Sequence, residues 1–89
     1  MSKNLNELRT VLMDVFIEGA VVINHKKLLW YLGKSQDRPS VWSELLDEWV
    51  ELGQSRDSLY GLGVGDKIVL TLAVDKDGAH SKIENWVNS

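Results

Sequence analysis

Two histidines are the side chains in this sequence best suited to acid–base or metal chemistry. His25 and His80 are the only imidazoles, and neither lies in the HxxxH or HExxH spacing that places two ligands on one helix face. The chain has no Cys, which removes thiolate ligands and nucleophiles. No Gly-x-Ser-x-Gly nucleophile motif is present. We therefore predict a protein without catalytic residues. A small enzyme that uses His80 as a base is a third alternative, after protein binding and nucleic-acid binding.

An acidic stretch near the C-terminus resembles a calcium-binding loop in its spacing. Asp75, Asp77, Gly78 and Glu84 occupy what would be the third, fifth, sixth and twelfth positions. The first position would then be Ala73, which cannot supply the required carboxylate, and the preceding segment alternates like a strand. We predict a turn here, and we expect neither a metal ion nor a cofactor.

The glycines of Gly61-Leu62-Gly63-Val64-Gly65 do not fit a nucleotide-binding motif. They lack the Lys-Ser/Thr pair of a phosphate loop, and they precede a strand-like segment, whereas dinucleotide glycines follow a strand and open a helix. We predict that residues 54–65 form a loop in which the glycines permit tight turns.

The composition is that of a small globular protein. At 89 residues, the chain has room for one domain, spanning residues 1–89, with 44% hydrophobic and 26% charged residues. Its net charge of −3 gives no overall attraction to nucleic acid or anionic lipid. Residues 1–4 do not begin a secretion signal, and the apolar run 20–23 is too short to span a bilayer. We expect a cytoplasmic protein with no membrane partner.

The first half of the chain predicts a helix, a short strand and a second helix. Apolar residues recur at helical spacing from Leu5 to Phe16, with Asn4 placed to cap the helix and Gly19 to end it. The β-branched segment 20–23 predicts a strand. Asn24 is placed to cap a helix over residues 25–32 that ends at Gly33.

A third helix is predicted over residues 41–52. Pro39 marks its start, Ser40 is placed to cap it, and Gly53 ends it. Its two faces differ sharply in character. The apolar face carries Trp42, Leu45, Leu46 and Trp49, and the other face carries Ser43, Glu44, Asp47, Glu48 and Glu51.

The C-terminal segment predicts a β-hairpin. Apolar residues alternate from Ile68 to Val74, the turn falls at residues 75–78, and residues 79–87 return as the partner strand. An alternative remains open: Ser81 and Glu84 have the spacing of a capping box, which predicts a short final helix carrying Ile83, Trp86 and Val87.

The predicted order of helix, strand, helix, helix and β-hairpin resembles that of winged-helix domains, and segment 40–53 resembles their third helix. We therefore expect a winged-helix-like α+β fold in a single small domain. Two features depart from the pattern. The turn from Gly33 to Pro39 is long for a helix-turn-helix, and the outward face of the third helix is acidic.

The acidic helix face argues against docking in a DNA groove. Residues 39–52 contain no Lys or Arg, so the resemblance would bring four carboxylates against phosphates without a local cation. We predict instead a small adaptor, regulator or inhibitor whose partner is a protein with a basic surface. The residues assigned to this surface are Glu44, Asp47, Glu48 and Glu51, with Trp30 or Tyr31 as an apolar anchor.

A basic segment supports the alternative of nucleic-acid binding. In a winged helix, its positions on the second helix, the following turn and the hairpin tip would reach backbone phosphates. Opposite charges on neighbouring segments also permit head-to-tail self-association into a homo-oligomer. The basic residues concerned are Lys26, Lys27, Lys34, Arg38 and Lys76.

Overall fold

The fold is given by a computed structural model that describes residues 5–36, 38–72 and 80–87. The described residues form one small α+β domain, as the sequence predicts. In chain order, the elements are α1 (Leu5–Glu18), β1 (Ala20–Asn24), α2 (His25–Tyr31), α3 (Pro39–Glu51), a 3₁₀ turn (Arg56–Ser58), β2 (Leu59–Val64), β3 (Lys67–Leu72), β4 (Ser81–Lys82) and α4 (Ile83–Val87).

The first three elements form where the sequence predicts them. Gly19 has a φ of 91° and separates α1 from β1, a backbone conformation that favours glycine. The side-chain oxygen of Asn24 accepts hydrogen bonds from the backbone N–H groups of Lys26 at 2.9 Å and Lys27 at 3.3 Å. Asn24 is therefore the N-cap of α2, as predicted. The predicted cap of α1, Asn4, lies outside the described residues.

The start of α3 differs by two residues from the prediction. Its N-cap is Arg38, whose backbone is extended, and Pro39 is the first helical residue. Ser40 therefore lies inside the first turn and does not cap the helix. Proline takes the first position because its fixed φ suits a helix and the missing N–H has no partner there anyway.

The prediction of a loop over residues 54–65 is wrong, because Leu59–Val64 forms strand β2. This strand pairs antiparallel with β3, from Leu59 opposite Leu72 to Val64 opposite Lys67. The two strands are joined by the two-residue turn Gly65-Asp66. Gly65 has a φ of 60° and is the first central residue, a pattern that matches a type II′ hairpin turn. The hairpin therefore precedes the predicted one along the chain.

The predicted return strand over residues 79–87 is also wrong. Among the described residues 80–87, Ser81 and Lys82 alone form a strand, and this strand pairs with β2 rather than β3. Residues 83–87 form the helix of the alternative prediction, and its first residue, Ile83, is fully buried. The predicted turn at residues 75–78 lies outside the described residues.

The four strands form one antiparallel sheet in the order β1-β3-β2-β4, so β1 and β4 are its edges. Alternate residues of β1 and β3 face the helices, since successive strand residues point to opposite faces. The core joins all four helices to this sheet face. Its fully buried members include Leu8, Leu12, Val15, Leu28, Leu45, Leu46, Trp49, Leu59, Leu70 and Ile83.

Candidate functional site

The structure distinguishes between the two aromatic residues proposed as an anchor. Trp30 is 53% exposed, whereas Tyr31 is only 6% exposed. Adjacent residues on a helix point about 100° apart, so one ring packs into the core while the other faces solvent. The ring centroids are 5.8 Å apart, and Tyr31 therefore supports the base of the Trp30 side chain. Only Trp30 is available as an anchor.

Two lysines lie beside the exposed indole on α2. Lys26 and Lys27 precede Trp30 by four and three residues, a spacing that places side chains on the same side of a helix. Both lysines are exposed, and Lys27 Nζ lies 5.9 Å from the centre of the Tyr31 ring. We call Lys26, Lys27 and Trp30 the α2 surface.

The carboxylates on the outward face of α3 are held largely by cations of the same chain. Glu44 Oε2 lies 2.9 Å from Lys34 Nζ, on the turn after α2. Two further ion pairs join this face to other elements: Asp47 Oδ1 lies 3.1 Å from Arg56 Nη1, and Glu48 Oε1 lies 3.0 Å from Arg9 Nε.

These pairs change the electrostatic character of the predicted acidic surface. The Glu44 and Glu48 side chains are only 24% and 18% exposed, so part of their surface is already covered. Asp47, at 63%, stays accessible, and Glu51 is exposed. Each such pair contributes about 0–1 kcal/mol to stability. Their larger effect is to reduce the negative charge that α3 presents to a basic partner.

The predicted basic residues do not act as one cluster. Lys34 pairs with Glu44, and Arg38 Nη2 donates a hydrogen bond to Gln36 Oε1 at 2.8 Å. Lys76 lies outside the described residues. Among the ion pairs between described residues, none involves Lys26 or Lys27. Of the predicted basic residues that the structure describes, Lys26 and Lys27 lie together on the α2 surface, whereas Arg38 keeps its charge at a separate place on the turn before α3.

The sequence prediction missed an aromatic cluster at the other end of α2. The rings of His25 and Trp42 are stacked, with centroids 5.9 Å apart, and Trp86 meets Trp42 edge-on at 4.8 Å. Trp42 was expected in the core, which the structure confirms. The contact with Trp86 was missed because residues 79–87 were assigned to a strand. The spacing of Ile83, Trp86 and Val87 was the available signal for a helix.

Within the parts of the chain that the structure describes, no group of three or more His, Asp or Glu side chains is arranged to hold a metal ion. None of the helices in residues 5–36, 38–72 and 80–87 combines the length and apolar character needed to cross a bilayer. Comparisons with models of protein families, with curated proteins and with solved structures find no match to this chain.

Proposed function

We propose that this chain is a non-catalytic protein-binding domain that acts as a small adaptor, regulator or inhibitor, with Trp30 as its anchor. The observation that carries the proposal is a half-exposed indole on a short helix, with two exposed lysines one turn before it on the same side. A cytoplasmic location belongs to the same proposal and is supported by the absence of Cys.

The anchor role follows from the cost of exposing an indole. Tryptophan buries a large apolar area when it is covered and is enriched among the residues that dominate binding energy. Trp42 and Trp49 are both buried, so the chain uses other tryptophans to fill its core. Tyr31 is fixed in that core, which holds the helix and presents Trp30 in a defined direction.

The lysines indicate the chemistry of the partner. Lys26 and Lys27 lie one helical turn before the anchor, so a complementary partner would present an apolar pocket with carboxylates along one side. The ion pairs on α3 weaken the case for the partner with a basic surface that the sequence favoured. An acidic partner at the α2 surface is therefore our proposal, and Glu51 and Asp47 become peripheral to it.

Affinity capture from a lysate of the source cells, with quantitative mass spectrometry, tests the proposal. We expect Trp30→Ala to remove a protein that the unchanged domain retains, and a Lys26→Glu/Lys27→Glu variant to remove the same protein. Val22→Ala is the matched control, because Val22 is also an exposed apolar residue, at 61%, but lies on β1. Retention of the same proteins by Trp30→Ala would contradict the proposal, provided that its melting temperature is unchanged.

Nucleic-acid binding is the second candidate, and two observations favour it. The β2–β3 hairpin follows α3 as the wing does in winged-helix domains, which supports the resemblance inferred from the sequence. The in-chain pairs of Glu44, Asp47 and Glu48 also lower the repulsion that phosphates would meet at α3.

An electrophoretic mobility shift on duplex DNA separates the two candidates. Nucleic-acid binding predicts a shift that weakens steeply as salt rises and that Lys26→Glu/Lys27→Glu abolishes, because released counterions drive such binding. Absence of a shift at low salt would exclude this candidate and leave the protein-binding proposal intact.

A further inference from the structure

A cleft of about 340 Å³ opens between the start of α2, the start of α3, the tip of the β2–β3 hairpin and α4. It lies at the opposite end of α2 from Trp30, so it is separate from the surface assigned to protein binding. Its volume falls at the lower end of the range for small-molecule pockets, about 300–1,000 Å³. The lining residues are His25, Trp42, Gly63, Lys67, Ile68 and Trp86, together with Gly65.

Gly63 leaves one wall of this cleft without a side chain, and the fold gives no reason for glycine there. A β-carbon at Gly63 would meet no described atom within 4 Å, and its φ is not positive. The other two glycines of the hairpin are explained, because Gly61 makes room for α4 and Gly65 has a φ of 60°. Glycine inside a strand costs about 0.5–1 kcal/mol relative to alanine. Glycine inside a strand often marks a place where a ligand or another backbone approaches closely.

The opposite walls of the cleft are aromatic and held in fixed orientations. The His25 and Trp42 rings are inclined by 29°, and the Trp42 and Trp86 rings by 76°. Trp42 is only 5% exposed, so the partly exposed rings of His25 and Trp86 supply most of the accessible aromatic surface, against which a further aromatic ring packs favourably. A flat apolar ring fits such walls better than a branched aliphatic group.

Lys67 supplies the charged group of the cleft. Its ammonium nitrogen lies 3.6 Å from Asp66 Oδ1, a long ion pair in which both side chains are more than half exposed. Asp66 also accepts a hydrogen bond from Asn24 Nδ2 through its other oxygen, at 3.4 Å. The lysine can therefore turn toward an anionic substituent at the mouth of the cleft while Asp66 keeps its second partner.

We propose that this cleft binds a small planar aromatic molecule that carries one negative charge, with the ring between Gly63 and the aromatic walls and the charge beside Lys67. The site does not depend on Trp30 or on the proposed protein partner. It gives a role to Gly63 and to the aromatic cluster, which the protein-binding function does not use.

Titration of the ¹⁵N-labelled protein with 2-naphthoate and with uncharged 2-naphthamide tests this proposal by NMR. We expect saturable shifts of the Gly63 amide and of the Trp42 and Trp86 indole N–H signals. Gly63→Val should weaken the binding of both compounds about ten-fold or more, because its side chain fills the cleft. Lys67→Gln should weaken the binding of 2-naphthoate about three-fold and leave that of 2-naphthamide unchanged.

Trp30→Ala tests whether the cleft is separate from the α2 surface. It should leave the affinities for 2-naphthoate and 2-naphthamide unchanged, whether or not the protein-binding proposal is correct. If Gly63→Val does not fold, the Lys67→Gln comparison decides, since that side chain is 54% exposed and does not support the core. The proposal is overturned if no saturable shift occurs at the cleft. It is equally overturned if the shifts centre on the exposed apolar side chains of α1, or if a folded Gly63→Val binds both compounds as before.

Discussion

Replacing Gly61 by alanine tests the packing of α4 against β2. A β-carbon at position 61 would lie 2.7 Å from Ile83 Cδ1 and 3.0 Å from Trp86 Cη2. Carbon atoms in favourable contact are about 3.5–4.0 Å apart, so these groups must move. Ile83 is fully buried, and a displaced Trp86 indole would disturb its contact with Trp42. The substitution therefore overpacks the interface between the helix and the strand.

The size of the effect follows from two opposing contributions. Overpacking a well-filled site costs about 1–3 kcal/mol. Replacing a strand glycine by alanine returns about 0.5–1 kcal/mol, because the unfolded chain loses conformational freedom. We expect Gly61→Ala to lower the free energy of unfolding by about 1 kcal/mol. For a domain of this size, that loss lowers the melting temperature by roughly 4–8 °C.

Gly63→Ala is the matched control, because it makes the same change on the same face of the same strand. Its new methyl group meets nothing within 4 Å, so we expect a gain of about 0.5 kcal/mol. The difference between the two variants cancels the backbone contribution and isolates the clash with α4. Urea unfolding followed by far-ultraviolet circular dichroism measures both. The reasoning is refuted if Gly61→Ala proves as stable as Gly63→Ala.

Three further predictions concern capping, the core and self-association. Asn24→Ala removes the cap that accepts two N–H groups of α2, and we expect a loss of about 1 kcal/mol in urea unfolding. Asn24→Ser should retain most of the stability, because its hydroxyl oxygen can cap the helix without placing a second carboxylate beside Asp66. Trp49→Phe removes the indole N–H that donates to the Ser55 carbonyl at 3.1 Å and the Ser58 hydroxyl at 3.0 Å. The free energy of unfolding should therefore fall by about 1–3 kcal/mol. An unchanged urea midpoint would contradict this role of the indole N–H. Because most carboxylates on the acidic face of α3 are already paired within the chain, sedimentation velocity at low salt should show a monomer. A dimer that dissociates as salt rises would contradict this expectation and support the head-to-tail association that the sequence permits.

The elements from α1 to α3 were predictable because their signals are local. Gly19 and Asn24 act through their own backbone conformation and hydrogen bonds, which depend on a few adjacent residues. Strand β2 escaped prediction because Gly61 carries no side chain to mark the buried face. The reason for that glycine is Ile83, which is distant in sequence and approaches only in the folded chain.

The candidate sites were likewise predictable where the signal is local, and not where it depends on tertiary contacts. Helical spacing was enough to predict that Trp30 and Tyr31 face different directions, but not which of them the core would accept. The acidic face of α3 was also predictable from its spacing. The ion pairs that reduce the negative charge of this face were not predictable, since Arg9 reaches Glu48 across the contact between α1 and α3. The charge of a helix face follows from sequence, whereas its availability to a partner depends on tertiary structure.

The position of β1 at the edge of the sheet has a consequence for how the chain folds during synthesis. Among the strands that the structure describes, β1 pairs with β3 alone, with Val22 opposite Val69, so this pairing closes a long loop that contains α2, α3 and β2. Contacts between residues so far apart in sequence raise the contact order and slow folding. On the ribosome, α1, α2 and α3 emerge before any strand can pair with β1. The pairing of β1 with β3 can form only after β3 has left the exit tunnel, and Ile83 of α4 joins the core later still.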